Sequence, residues 1–120
     1  MNAFARYPSL HDRAVMITGG ATGIGRTLVH EFAAQGARVG FIDIDVANAE
    51  SLVAQLAGAH RAPVFVAADI TDIDALETAI AAVRARIGPI AVLLNNAAND
   101  RRHEIEETTS ASWDAGIAVN

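Results

Sequence analysis

Met16-Ile-Thr-Gly-Gly-Ala-Thr-Gly-Ile-Gly25 is the stretch of sequence that decides the fold. A short apolar run, residues 14–17, leads into a cluster of glycines, after which apolar residues return at helical spacing. Ile24, Leu28 and Phe32 stand four residues apart, which places them on one face of a helix. We therefore predict a strand, a glycine turn and a helix in that order.

The glycines of this turn indicate a phosphate-binding function. At Gly19, Gly23 and Gly25 the missing Cβ permits unusual dihedrals, tight helix packing and a close approach of backbone N–H groups to a diphosphate. The N-terminus of the following helix attracts the same group through its partial positive charge. Alone, the pattern is a weak signal, because ordinary strand-to-helix turns also gather glycines.

The composition is typical of one small globular domain, with 52% hydrophobic and 19% charged residues in a chain of 120. No apolar run approaches the roughly 20 residues of a membrane-spanning helix, and residues 1–10 lack a signal-peptide core. A cytoplasmic location without a membrane partner is therefore expected. The net charge of −5 and the lack of a basic run argue against nucleic acid as a partner.

The sequence offers no pattern that is typical of a metal site. Cysteine is absent, and the histidines are scattered without the spacing of metal ligands. We therefore predict that no metal is bound. The four histidines are His11, His30, His60 and His103.

Strand-like and helix-like segments alternate along the whole chain. Apolar runs predict four strands, at residues 14–17, 38–43, 64–67 and 90–94. Helices are predicted from the glycine turn to about Gln35, at residues 46–57 and 73–87, and around Trp113 and Ile117, with Gly36 as a left-handed cap of the first and Thr71 or Asp72 capping the third. This order implies an α/β fold, a Rossmann-type doubly wound parallel sheet covered on both faces.

Asp43 stands at the end of the second predicted strand, 43 − 25 = 18 residues after the last glycine. This is close to the spacing of about 20 residues at which a carboxylate accepts hydrogen bonds from the adenosine ribose of a dinucleotide. The alternative is a solvated turn acid. The strand end and the spacing agree independently, so we favour ribose binding for Asp43 and the solvated acid for Asp45.

The residues around Asp43 also favour NAD over NADP. An NADP site needs a cation near the 2′-phosphate, typically an arginine in the glycine turn or just after the second strand. Neither place has one, and Arg26 and Arg38, the nearest in sequence, have plausible structural roles elsewhere.

The chain resembles the short-chain dehydrogenase/reductase family from about Arg13 onward. Thr18-Gly-Gly-Ala-Thr-Gly-Ile-Gly25 matches the family pattern Thr-Gly-x-x-x-Gly-x-Gly, and Asp69-Ile70, Asn95-Asn-Ala-Ala98 and Asn120 match at the expected places. The resemblance implies the strand order 3-2-1-4 and hydride transfer between NAD and a small-molecule substrate, a secondary alcohol or sugar. It also implies a homo-oligomer, a dimer or tetramer, in the complete protein.

The resemblance further assigns roles to individual residues. Asp69 and Ile70 lie beside the adenine ring, and the segment from Asn96 approaches the cofactor, with Ala98 in place of the usual glycine. Asn120 is one of a catalytic tetrad of Asn, Ser, Tyr and Lys, where it helps to hold a water in a proton relay. The expected cofactor contacts are Gly19, Thr22, Gly23, Ile24, Gly25, Asp43, Asp69, Ile70, Asn96, Ala97 and Ala98.

The other three members of the tetrad are missing from the chain. In the family, the serine and a Tyr-x-x-x-Lys pair lie downstream of the position of Asn120, whereas this sequence has Tyr7 as its only tyrosine and contains no lysine. The lysine charge is needed to lower the pKa of the tyrosine toward operating pH. We therefore expect residues 1–120 to be an NAD-binding Rossmann domain that is incomplete at its C-terminal end and inactive alone. The alternative is a non-catalytic dinucleotide-binding module that acts as a sensor or scaffold.

Within the family, three segments resemble the aldose dehydrogenases, which oxidise sugars such as xylose or galactose to lactones. They are Tyr7-Pro-Ser-Leu10, Asn95-Asn-Ala-Ala-Asn-Asp-Arg-Arg-His103 and Trp113-Asp114. The alternative is that residues 99–103 form an exposed polar loop of a generic family member. Both interpretations stay open at the level of sequence.

Overall fold

Four parallel strands form the centre of the structure, a computed structural model that describes residues 4–120. Each of the first three strands is followed by an α-helix, as the alternating pattern predicts. The elements are β1 (Ala14–Thr18), α1 (Gly23–Ala34), β2 (Arg38–Asp43), α2 (Val46–Gln55), β3 (Val64–Ala67), α3 (Ile73–Ile87), β4 (Val92–Leu94) and α4 (Ser110–Val119), with short 3₁₀ turns at Pro8–Leu10 and Ile105–Glu107.

The strands lie in the order β3-β2-β1-β4, which confirms the predicted order 3-2-1-4. In the parallel register Thr18 of β1 pairs with Ile42, and Asp43 at the end of β2 pairs with Ala67. The carboxyl ends of neighbouring strands therefore meet at one edge of the sheet, where ligands bind in open α/β sheets. None of the helices in residues 4–120 has the length and apolar character needed to span a bilayer.

The core has two layers because side chains alternate between the faces of the sheet. Val15 and Ile17 of β1 pack toward α1 and α2, whereas Ala14 and Met16 pack toward α3. All five residues of β1 are buried, as expected for a central strand with helices on both faces. This buried strand carries the glycine turn at its carboxyl end.

The buried face of α1 is shifted by one position along the chain from the predicted face. Gly25, Val29 and Ala33 are buried, and Leu28 and Phe32 are only partly buried beside them. Ile24 is 75% exposed, because it lies in the first turn of the helix at the open edge of the sheet, where no element of residues 4–120 covers it. Periodicity predicted the helix correctly but not the exact line of contact.

The end of the chain packs less than its apolar pattern predicts. β4 has three residues rather than five, and Leu93 is 56% exposed, since within the described residues β4 has only β1 as a neighbour. Trp113 and Ile117 do mark a helix, α4, but their side chains are 64% and 62% exposed.

The helix ends follow the predicted capping residues. Gly36 adopts a left-handed conformation with φ of +82° after α1, as predicted, and Asp72, not Thr71, caps α3 by accepting a hydrogen bond from Ala75 N. Asp45 is more than a solvated acid, because it caps α2 by accepting from Asn48 N at 3.1 Å. The solvated interpretation of Asp45 missed this structural role.

The lead-in segment before β1 includes the 3₁₀ turn at Pro8–Leu10 and is attached to the end of α1. Tyr7 N donates to Gln35 Oε1 at 2.9 Å, and Gln35 Nε2 donates to the carbonyl of Ala5 at 3.0 Å. Residues 1–3 of this segment lie outside the described part of the chain.

Candidate functional site

A cleft of about 460 Å³ lies at the carboxyl ends of the strands, beside the glycine turn. All eleven residues predicted to contact the cofactor line it, although they come from four separate segments. Sequence reasoning missed five further lining residues, most of which directly flank a predicted one. They are Ile42, Ile44, Ala68, Asp100 and Val119.

The glycine turn packs backbone against backbone at the floor of the cleft. Gly19 has φ of +70°, and a Cβ at this position would stand 2.8 Å from Ala97 Cα in the segment after β4. A Cβ at Gly25 would collide with the carbonyl oxygen of Gly19. Only glycine at these two positions lets β1, α1 and the β4 segment meet so closely.

Thr18 and Asn96 join the glycine turn to the segment after β4. The Thr18 hydroxyl oxygen accepts hydrogen bonds from the backbone N–H groups of Asn96 and Ala97, both at 3.1 Å. In return, Asn96 Nδ2 donates to the carbonyls of Thr18, at 3.1 Å, and Gly19, at 2.9 Å. Thr18 is only 8% exposed, so these bonds satisfy polar groups that water scarcely reaches.

The N-terminus of α1 is the part of the cleft suited to an anion. Among the four α-helices of residues 4–120, α2, α3 and α4 have side-chain caps from Asp45, Asp72 and Thr109. Thr22, at the start of α1, makes no such bond. The first N–H groups of a helix have no partner within the helix, so those of α1 are available to a group in the cleft.

Asp43 is fixed next to this helix end by two backbone groups. Its Oδ2 accepts from Ala21 N and its Oδ1 accepts from Asp45 N, each at 2.9 Å. Each carboxylate oxygen keeps a further acceptor site. The carboxylate therefore has a defined position in the cleft wall and can still accept hydrogen bonds from a ligand hydroxyl.

Asp69 shapes the wall of the cleft after β3. Its Oδ1 accepts from Thr71 N at 2.9 Å and from Thr71 Oγ1 at 2.7 Å. These backbone and hydroxyl bonds hold the pKa of Asp69 below its ordinary value. The turn that Asp69 forms presents Ala68 and Ile70 to the cleft, an apolar surface of the kind that an adenine ring contacts.

The cleft is acidic. Within the described chain, its lining contains the carboxylates of Asp43, Asp69 and Asp100 and no basic side chain. Arg26 donates to Gln55 Oε1 at 2.7 Å, and Arg38 donates to the carbonyl of Asp12 at 2.9 Å. Both arginines therefore have the structural roles that the sequence suggested for them.

Asn120 lies apart from the eleven cleft residues. Its Oδ1 accepts from Asn99 N at 3.0 Å, and its Nδ2 donates to the carbonyl of Asn99 at 2.9 Å. It lines a neighbouring depression that also contains Asn95, while Val119, one residue earlier, reaches the cleft itself. The paired bonds hold the end of α4 against the segment after β4.

Comparison with known proteins agrees with these motifs. Residues 13–120 match the model of a family described as short chain dehydrogenase. The chain is 42% identical over 117 residues to "Probable galactose dehydrogenase GalD" of Rhizobium meliloti (strain 1021), with 97% of this chain and 46% of that protein covered. It is 46% identical over 116 residues to D-xylose 1-dehydrogenase of Caulobacter vibrioides, with 97% and 45% covered.

A solved structure with the same arrangement is 3-ketoacyl-(acyl-carrier-protein) reductase from Brucella melitensis, complexed with NADH. It superimposes with a TM-score of 0.82 at 27% identity, and the match covers 92% of this chain and 44% of that one. The chain thus spans about half the length of the relatives it matches. These similarities confirm the Rossmann-type fold and the resemblance to the aldose dehydrogenase branch.

Proposed function

Because the chain belongs to the short-chain dehydrogenase family, we propose that it forms the NAD-binding half of a dehydrogenase that oxidises an aldose. One observation carries the proposal: the uncapped N-terminus of α1 and the fixed carboxylate of Asp43 stand side by side in one cleft. A dinucleotide needs both features, since its diphosphate is an anion and its adenosine ribose offers hydroxyl donors.

Each part of the cleft has a role in this proposal. The backbone N–H groups at Gly23, Ile24 and Gly25 bind the diphosphate, and Asp43 accepts from the ribose. Ile70 and the turn of Asp69 contact the adenine ring. The segment Asn96, Ala97 and Ala98 borders the reactive half of the cofactor, and the residues Gly19 and Thr22 complete the turn.

The bound nicotinamide ring supplies a hydride acceptor, and the substrate hydroxyl must lose a proton in the same reaction. Asn120, held by its bonds to Asn99, helps to position a water for that proton. A C-terminal half, beyond residue 120, supplies the Ser, Tyr and Lys that complete the tetrad and the contacts of a homo-oligomer. The names of the two relatives support galactose or xylose as the kind of substrate.

The charges of the cleft favour NAD as the cofactor. The 2′-phosphate of NADP would stand near Asp43 with no basic lining residue to neutralise it. Two negative groups about 4 Å apart at an effective dielectric near 20 repel by roughly 4 kcal/mol. Screening lowers this figure, but it is still enough for a preference of about a hundredfold or more.

The test uses a longer protein that contains both residues 1–120 and the proposed C-terminal catalytic half. We expect reduction of NAD with xylose, galactose or arabinose, and tighter binding of NAD than of NADP in calorimetric titrations. Asp43→Ala should reduce the preference for NAD over NADP. Asp74 is an exposed acid on α3, and Asp74→Ala should leave this preference unchanged.

The outcomes distinguish the parts of the proposal. Equal affinities for the two cofactors, or an unchanged preference in Asp43→Ala, would refute the role of Asp43. Oxidation of simple secondary alcohols without any aldose would refute the substrate class. NAD binding without turnover of any substrate would favour a sensor or scaffold.

A further inference from the structure

A second group of polar side chains lies at the opposite edge of the sheet, where the strands begin. His11 and Asp12 directly precede β1, and His60 lies in the connection between α2 and β3. The carboxylate of Asp12 contacts both imidazoles, with Oδ2 at 3.2 Å from His11 Nδ1 and Oδ1 at 3.7 Å from His60 Nε2. The two rings lie against each other, with centroids 4.7 Å apart. His11 and His60 are 49 residues apart along the chain, so the spacing of metal ligands in the sequence does not reveal this group.

The backbone fixes the position of this group. Asp12 adopts φ of +57°, a left-handed conformation uncommon for residues other than glycine. Its N–H donates to the carbonyl of Gly36 at 2.9 Å, and its own carbonyl accepts from Arg38 Nε at 2.9 Å. The ring of His11 lies over Gly36, where a Cβ would approach His11 Cδ2 to 2.8 Å. His11 and Asp12 are therefore held in place by the fold.

We propose that His11, Asp12 and His60 bind a Zn²⁺ ion, with water in the remaining coordination position. One ligand atom from each residue lies within 4.8 Å of the others. Ligands about 2.1 Å from a tetrahedral ion lie roughly 3.4 Å apart. His11 Nδ1 already lies 3.2 Å from Asp12 Oδ2, the oxygen that Arg61 leaves available, whereas His60 Nε2 lies 3.7 Å from Oδ1 and must move toward Oδ2. The exposed ring of His60 can supply the remaining movement by rotation.

The donor set decides the class of ion. Two imidazole nitrogens and one carboxylate suit Zn²⁺ and similar transition ions, whereas Mg²⁺ and Ca²⁺ prefer oxygen ligands only. This distinguishes the group from an ordinary cluster of surface acids. It also revises the prediction from the sequence that no metal is bound.

Arg61 sets the affinity of this site. Its Nε donates to Asp12 Oδ1 at 3.0 Å, so it occupies one carboxylate oxygen and places a positive charge near the ion. Oδ2 stays available beside His11. Removal of the guanidinium should therefore strengthen metal binding, which is the opposite of the effect expected if Arg61 merely supported the fold around Asp12.

The bound ion connects the lead-in segment to the connection between α2 and β3. Because the site and the cofactor cleft lie at opposite edges of the sheet, metal binding should not alter the affinity for NAD. The proposal therefore stands apart from the proposed dehydrogenase function.

The test is a calorimetric titration of Zn²⁺ into the untagged, extended protein. Partners that only support a metal ligand typically contribute about 10- to 100-fold to affinity, so loss of a ligand in His60→Gln should weaken binding at least about tenfold. Arg61→Gln should tighten binding severalfold. His30→Gln is the matched control, because His30 also contacts a neighbouring acid, Glu31 at 3.1 Å, but stands outside the group of three.

A second measurement follows thermal unfolding. At about 100 times its dissociation constant, Zn²⁺ should raise the Tm of a protein of about 250 residues by roughly 5–10 °C. At the same Zn²⁺ concentration this rise should fall by about half or more in His60→Gln, because a tenfold weaker site is then at only about 10 times its dissociation constant. Millimolar Mg²⁺ should cause no rise. Equal Zn²⁺ affinity in His60→Gln and the unmodified protein, an equal loss in His30→Gln, or an equal response to Mg²⁺ would overturn the proposal.

Discussion

At the scale of single residues, Thr18 holds the cleft together through one buried oxygen. Replacement by Val keeps the shape but removes the acceptor for the N–H groups of Asn96 and Ala97. A buried group left unsatisfied costs about 1–3 kcal/mol, so the free energy of unfolding of Thr18→Val should fall by roughly 2 kcal/mol or more in urea denaturation. Thr18→Ser retains the hydroxyl, so its free energy of unfolding should fall much less. Equal stability of the two variants would contradict this role.

Asn96 has the complementary role, since its amide nitrogen donates to two carbonyls of the glycine turn. Asn96→Asp replaces this donor with negatively charged acceptors that repel both carbonyls. We expect NAD affinity to fall at least about tenfold, a loss of about 1.4 kcal/mol, because the turn that binds the diphosphate is displaced. Asn95→Asp changes an exposed side chain and serves as the control in the same titration. Similar losses in both variants would point to a general charge effect.

Residue positions in the cleft could be predicted from sequence because they follow strand ends. Parallel strands bring their carboxyl ends to one edge, so motifs after four strands must converge there. The bonds between them could not be predicted in the same way. The contact of Asp43 with Ala21 N depends on the paths of two loops, and the contact of His11 with His60 depends on the paths of the two segments that lead into β1 and β3.

At the scale of elements, the first turn of α2 depends on the charge of Asp45. The side-chain amide and then the backbone N–H of Asn48 donate to its carboxylate, which holds the pKa of Asp45 below its ordinary value of 3.8. A carboxyl group with a lowered folded pKa stabilises the native state above the ordinary value, and this stabilisation is lost as the pH falls through the lowered value.

We therefore expect the first turn of α2 to fray only below pH 3.8. In an NMR titration the Asp45 carboxyl carbon should have its midpoint below that value, and Asn48→Ala should move the midpoint upward. A midpoint of Asp45 that does not respond to Asn48→Ala would contradict the proposed cause.

The helices and strands were largely predictable from the sequence, but the burial of residues in the first turns of the helices was not. Apolar spacing predicted α3 and its end at Ile87 correctly, and its start to within one residue. Even so, Ile73 in its first turn is exposed like Ile24 in α1. Periodicity describes a face of a helix but not how far the sheet beneath it extends. The first turns of both helices lie at the carboxyl edge of the sheet, beyond the ends of the strands that the structure describes.

At the scale of the whole molecule, the open side of β4 predicts how residues 1–120 behave alone. Leu93 is exposed on this strand, Trp113 and Ile117 are exposed on α4, and an unpaired strand edge favours association. We expect this chain alone to aggregate or to unfold without cooperativity, and the extended protein to be soluble, as measured by gel filtration and thermal unfolding. A cooperatively unfolding monomer of residues 1–120 would contradict this and favour the stand-alone module.

The hydrogen bonds between Thr18 and Asn96 join residues 78 positions apart. The glycine turn is therefore synthesised well before the residues that bond to it. The glycine turn leaves the ribosome early, when Asn96 and Ala97 have not yet been added to the chain. At about 5–20 residues per second, translation needs roughly 4–16 seconds to add those 78 residues. The glycine turn of the nascent chain therefore lacks these hydrogen bonds while the 78 residues are added, and the pocket is completed only when the segment after β4 emerges.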